Sequence, residues 1–273
     1  MSRIGTNFGS ALGIACLISM GSLGWTQTAA PAIVTPHADS PYHPLTRSHA
    51  RSLTIDFAPV DRTHGMASVH NFSGKAVTAF QVGGSDERGD DGWSKGPIST
   101  DGTDLIAPGA TYQLRISLNS SGRVVNGAYV QDPPPPSIIL QAVLFADGSY
   151  EGDTKAAAFM AARQIGGTVI HRRILSLAEP ILKDDQLDDK AKSERMQAEV
   201  DKLSVVPSAE MTERLRTQFP ELSEAERADL QSGMGGSMRE EKETFDTEMK
   251  KFESESGPNA LKLERWWPLA YGK

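Results

Sequence analysis

The chain has 273 residues, 38% of them hydrophobic, enough for one or two domains and one substantial core but too few for burial throughout, so part of it is expected to be extended or solvated. Its net charge of −7 has a local origin, because Lys183 to Ser256 holds 20 Asp and Glu against 12 Lys and Arg, and that negative surface argues against nucleic acid and anionic lipid as partners. The single cysteine, Cys16, lies in an N-terminal apolar segment expected to be removed, which leaves the mature chain without disulfides or thiol catalysis.

Met1-Ser2-Arg3 and the run Gly9 to Leu23 have the form of a charged n-region and an apolar h-region, with small residues at Ser22 and Gly24 for a signal peptidase. Residues 1–27 are therefore expected to be a signal peptide, cut between Gly24 and Gln27, and the product periplasmic or extracellular. An uncleaved anchor is the alternative, but Gly and Ser dilute a segment that needs about 20 predominantly apolar residues to span. Gly13-Ile14-Ala15 is a poor lipobox, so membrane contact is expected only through the signal peptide during export. Residues 28–50, rich in Pro, Ala, Thr, Ser and His, read as a disordered linker. His37, His43 and His49 recur there every six residues, a step that presents no preformed metal geometry.

From 51 to 153 short alternating runs are bounded by Gly, Pro, Asn and Asp, the pattern of an antiparallel sandwich. Leu53, Ile55 and Phe57 share one strand face. Met66 to Phe72 and Ala76 to Val82 flank Ser73-Gly74, which reads as a hairpin link. Pro108-Gly109 turns the chain into a strand with Tyr112, Leu114, Ile116 and Leu118 inward, and Val124 to Val130 reads as one more short strand. Asp132-Pro133-Pro134-Pro135-Pro136 is expected to run as polyproline II, since proline donates nothing to a ladder, with a proline-recognition ligand as the alternative. It leads into Ser137 to Tyr150, the longest apolar stretch outside the N-terminus, which stops at Asp147-Gly148 and reads as a central buried strand.

Val69-His70-Asn71-Phe72-Ser73-Gly74-Lys75-Ala76-Val77, Ala107-Pro108-Gly109 before a Tyr-bearing strand, and a strand ending in Phe145-Ala146-Asp147-Gly148 resemble the strand order of bacterial immunoglobulin-like domains of exported proteins. The resemblance covers about a hundred residues and concerns architecture, because the cysteines and core tryptophan of antibody-type domains have no counterpart. It implies a module that binds or spaces other molecules, and by itself no activity.

Residues 154–256 carry a helical period. After a cap at Asp153 or Thr154, Lys155 to Leu182 bears Phe159, Ile170, Ile174, Leu177 and Ile181 on a stripe, with Gly166-Gly167 expected to kink it or to pack closely on the sandwich. A charged helix follows from Lys183 to Glu199, and new helices are expected after Pro207-Ser208 and at Pro220-Glu221-Leu222-Ser223, the latter with a Ser223/Glu226 capping box. Gly233 to Gly236 is expected to break or bend that helix. Ser237 to Ser254 then places Met238, Phe245, Met249 and Phe252 on one face, either for the other helices or the sandwich, or for a dimer seam. In the tail, 257–273, the adjacent Trp266 and Trp267 have too much apolar area to leave in water and are expected to dock within the chain or to bind a partner.

Asp86, Glu87, Asp90 and Asp91, in the Gly-containing loop Ser85 to Trp93, are candidate calcium ligands through hard oxygen, although EF-hand order is absent and any exposed hairpin loop has this composition. His64 and His70, six residues apart, share a strand face and with that loop form a candidate hydrolytic or metal site, against the plainer reading of exposed-strand histidines. His171, beside Arg172 and Arg173, reads as part of a solvated basic patch. Asn71-Phe72-Ser73 and Asn119-Ser120-Ser121 are sequons that matter only in a eukaryotic secretory host. With no nucleophile elbow, His-Glu-x-x-His or phosphate loop, no catalytic residue and no cofactor is assigned. The expectation is an α+β chain, an immunoglobulin-like β-sandwich followed by a C-terminal helical region, acting as a non-enzymatic module with a protein partner in the envelope or outside the cell. The alternative is a carbohydrate- or calcium-binding module that uses the Asp86 to Trp93 loop.

Overall fold

Strand β9 (Ser137–Phe145) lies where the apolar run places it, at the centre of a mixed sheet. The computed structural model describes residues 44–61, 64–85, 91–118, 122–131, 136–255 and 261–271; the expected signal peptide, most of the linker, the acidic loop at 86–90, the Asn119 sequon and the prolines at 133–135 lie outside them. The other strands are β1 (Leu45–Ser48), β2 (Leu53–Pro59), β3 (His64–Asn71), β4 (Val77–Ser85), β5 (Asp91–Lys95), β6 (Thr111–Ser117), β7 (Gly122–Val125), β8 (Ala128–Gln131) and β10 (Tyr150–Gly152). The helices are α1 (Thr154–Leu182), α2 (Asp189–Asp201), α3 (Ala209–Gln218), α4 (Glu224–Ser254) and α5 (Leu263–Ala270). None of the described helices is long and apolar enough to cross a membrane.

One sheet runs β1-β9-β4-β5, with β10 also paired to β9; a second runs β2-β3-β6; β7 and β8 form a separate hairpin. The two larger sheets face each other across a shared core: Leu53, Ile55, Val69 and Ile116 from the second meet Phe80, Val82, Ile138 and Leu140 from the first. The reverse face of the first sheet packs on the helices, where Ala79, Ala142 and Leu144 join Ala158, Ala162 and Ile165. Burial on both faces is why β9 reads as an almost unbroken apolar run instead of an alternation.

Two β-bulges interrupt the pairing of β4 with β9. Gln81 pairs with Ala142 and Val82 with Leu140, so Gln141 is an extra residue on β9; Val77 pairs with Phe145 and Ala79 with Leu144, so Thr78 is extra on β4. Each extra residue reverses the in-and-out parity of its strand. Ile138 and Leu140 therefore face the inter-sheet core before the bulge and Val143 and Phe145 after it, while Ala142 and Leu144 turn to the helices.

Three strand expectations are corrected. Leu45–Ser48, inside the expected linker, is a strand running parallel to Ser137–Leu140, because the backbone edge of β9 supplies the partners that the segment's own side chains do not suggest. Ser73-Gly74 is not a hairpin link: β3 pairs with β2 and β6, and β4 with β9 and β5, so the turn carries the chain from one sheet to the other. Asn71 organises that crossing, its buried amide tying the turn to the carbonyls of Lys75, Ile106 and Ala107, which leaves this sequon asparagine no free nitrogen in the fold. Val124 to Val130 is not one strand but a hairpin about Asn126-Gly127, whose φ angles of 52° and 79° suit a type I′ turn.

The helices follow the apolar stripes more continuously than the glycines suggest. Asp153 caps α1, accepting from the Ala156 amide at 2.8 Å, and the Ser223/Glu226 capping box opens α4. α1 passes Gly166-Gly167 without ending, and α4 passes Gly233 to Gly236 without the expected break. Gly166-Gly167 serves close approach: a Cβ on Gly166 would sit 2.3 Å from the Met234 carbonyl of α4, and one on Gly167 2.3 Å from Thr100 Cγ2 in the loop after β5. Met238, Phe245, Met249 and Phe252 are all buried within the chain. Trp266 packs on Phe252 and Trp267 on Phe245 and Tyr271, with ring centroids 5.3, 5.8 and 4.7 Å apart, so α5 docks intramolecularly.

Candidate functional site

The outer face of the second sheet carries His64 and His70, as the strand period requires, yet the two do not converge on one centre. His64 Nδ1 lies 3.2 Å from Asp61 at one end of β3. His70, towards the other end, lies in a cross-strand row, its Nε2 3.0 Å from Asp56 Oδ2 on β2 and its Nδ1 2.8 Å from Thr111 Oγ1 on β6. Phe72 stacks on the imidazole with centroids 6.2 Å apart and remains 71% exposed. A carboxylate–imidazole–hydroxyl order is that of a general-base relay. Here the row lies on the outer face of the sheet, and Thr111 belongs to β6, the edge strand that among the described residues pairs with β3 alone. The row fixes His70 and Phe72 as an ordered surface patch.

The second site is buried where α1, α4 and the C-terminal end of α5 meet. His171, 6% exposed, directs Nδ1 to Glu241 Oε1 at 2.7 Å, and the Tyr271 hydroxyl donates to the same oxygen at 2.8 Å while its ring stacks on the imidazole. His171 is therefore not part of a solvated basic patch; it points into the bundle between Ile170 and Ile174, and only Arg172 and Arg173 are exposed. His171 Nε2 is buried without a hydrogen-bond partner among the described residues, and Nδ1 is the ring nitrogen that faces the carboxylate. Burial, then the charge of Glu241, pushes the Tyr271 hydroxyl well above the ordinary tyrosine range, so it stays a donor.

Glu241 also reaches a cleft of about 380 Å³ between the sheets and the helices, lined among others by Thr100, Phe159, Met160, Arg163 and Glu240. Arg163 pairs with Glu240 and lies over the Phe159 ring, its guanidinium carbon 5.8 Å from the centroid. A wider hollow of about 610 Å³ between the end of α1 and α5 holds Glu179, Lys183 and Glu264, but these charges are already paired, Lys183 with Glu179 and Glu264 with Lys192.

Sequence reasoning missed Glu241, although one signal was present. Met238 and Phe245 on the buried stripe are seven residues apart, and the positions between them that complete the helical spacing are Glu241 and Lys242. Asp86, Glu87 and Asp90 lie outside the described residues, and Asp91 belongs to β5 with its side chain undescribed. No group of three or more His, Cys, Asp or Glu suited to a metal ion occurs among the described residues. No protein-family model matches the chain, and no curated protein or solved structure matches it.

Proposed function

We propose that the chain is an exported, non-enzymatic interaction module of the envelope or extracellular space, in which an immunoglobulin-like sandwich presents a protein-binding face and the helices brace it from behind. The observation that carries this reading is the patch at the end of β3. A large aromatic, Phe72, is held in water on an imidazole that is itself fixed by Asp56 and Thr111. An aromatic anchor ordered before contact loses little conformational freedom on docking, the property of residues that dominate interfaces. Export rests on the charged and apolar pattern of residues 1–27.

The test places a photo-cross-linking phenylalanine analogue at position 72 and, as a control, at the equally exposed Val206. In intact cells of the source organism, one discrete protein adduct at 72, absent at 206 and lost when His70→Ala frees the ring, is the expected result. Identical adduct patterns at the two positions would sink the assignment of this face. Accumulation of the full-length chain in the cytoplasm would remove the exported location.

A further inference from the structure

The cleft beside Glu241 is a built site whose chemistry is unassigned, and its charge arrangement selects a class of ligand. Thr100, on the cleft wall, donates to Glu241 Oε2, whereas the interior pair, His171 and Tyr271, both hold Oε1. Oε2 is thus the oxygen on the cleft side. Its one partner there among the described residues, the Thr100 hydroxyl, is 3.4 Å away, beyond the usual range for an O–H donor. An ionised carboxylate accepts about four hydrogen bonds, so this oxygen retains capacity. The side chain is nevertheless only 12% exposed, and water alone has limited access to it.

Neither lining cation is paired with Glu241: Arg163 is committed to Glu240, and Lys95 directs its ammonium to the Arg115 carbonyl on the opposite sheet at 3.3 Å. The Glu241 carboxylate is held in position by two internal donors, with the hydroxyl-bearing Ser237 and Thr244 and the apolar Phe159 and Met160 also on the walls. We propose that this cleft binds an organic cation, an ammonium or guanidinium group, with its N–H on Glu241 Oε2 and its hydrocarbon against Phe159 and Met160. A charge-assisted hydrogen bond inside a partly desolvated cleft is stronger than the same contact at an open surface. The cation arrives either as a free amine or as a Lys or Arg side chain of a bound protein. The site is remote in sequence from the Phe72 patch and stands on different observations.

The experiment titrates the full chain calorimetrically at low salt with n-butylammonium, with ethylguanidinium and with a capped Gly-Ser-Lys-Ser-Gly peptide. Saturable one-site binding of at least one probe is expected, weakened about tenfold or more by Glu241→Gln. Glu179→Gln, in the other hollow, leaves it unchanged. Thr244→Lys, on the exposed side of α4 three residues beyond Glu241, supplies an internal ammonium; it is expected to melt like the parent and to abolish binding, and it decides the matter if Glu241→Gln does not fold. Free cations that match the peptide identify a small amine as the natural guest, and a peptide about tenfold tighter identifies a partner's side chain. Absence of saturable heat from all three probes up to about 10 mM overturns the proposal, as does equal affinity in the parent and Thr244→Lys.

Discussion

Asn71→Asp tests how the two sheets are joined, because it changes one atom and almost no volume. Asn71 is 1% exposed. Its Nδ2 donates to the carbonyls of Lys75, Ile106 and Ala107 at 2.8, 3.1 and 3.2 Å, and its Oδ1 accepts from the Ser73 amide and hydroxyl at 3.0 and 2.6 Å. The aspartate keeps the second set and turns the first into oxygen facing oxygen. Two N–H donors are lost at about 1 kcal/mol each, and stranding buried acceptors adds about 1–3 kcal/mol, for a total on the order of 3 kcal/mol. At roughly 2–4 °C per kcal/mol for a chain of this size, the melting temperature should fall by about 10 °C at neutral pH. The new carboxyl, surrounded by carbonyls, should titrate above its unfolded value of about 3.9, so the folded variant binds its proton more readily than the unfolded one. The deficit is then complete above the raised folded value and shrinks on acidification, when a protonated oxygen can donate to one carbonyl again. Circular dichroism melts of parent and variant at about pH 7 and about pH 5 read both effects. A neutral-pH loss under about 2 °C, or a gap that widens with acid, would refute the reasoning.

Three further outcomes follow from the helical half. Gly166→Ala drives a methyl into the Met234 carbonyl of α4 and should lose about 1–3 kcal/mol in urea denaturation even though alanine favours the helix; an unchanged midpoint means that the helices move apart freely. Trp267→Ala removes the ring that packs on Phe245 and Tyr271 and should lose about 3–5 kcal/mol, with increased proteolysis of α5; a melt like the parent's would show that the tail does not brace the bundle. Lys155, then the Ser223 hydroxyl and amide, hold the Glu226 carboxyl down to about 2 against an ordinary value of 4.5. A depressed carboxyl stabilises the fold above its unfolded value and loses that effect as pH falls through the folded one. Between 4.5 and about 2 the parent should therefore lose melting temperature more steeply than Glu226→Gln, and parallel curves would contradict the ion pair and cap.

Periodicity alone was sufficient for the inward faces of β2 and β6, for β9, for the caps at Asp153 and Ser223 and for the buried stripe on α4, because each depends on neighbours in sequence. What it could not show depends on neighbours in space. The β1 strand exists because β9 has an open edge, and nothing in Leu45-Thr46-Arg47-Ser48 announces that edge. Gly233 to Gly236 has the composition of a break, but the approach of Val205 and Pro207 towards Gly235 turns it into a contact surface. His171 was misjudged from its two arginine neighbours, since adjacent residues on a helix face different directions and its true companions are Glu241 and Tyr271, 70 and 100 positions away. Asn126-Gly127 was legible and passed over; the pair is a strong turn signal set inside an apolar run.

The bulged strands β4 and β9 are a party wall, plastered on both sides. A construction that stopped after β10 would leave Ala79, Ala142 and Leu144 bare to solvent, an invitation to clump, and one that began at α1 would have no floor to rest on. The strands and helices of residues 44–271 should therefore be expressed and engineered as one piece.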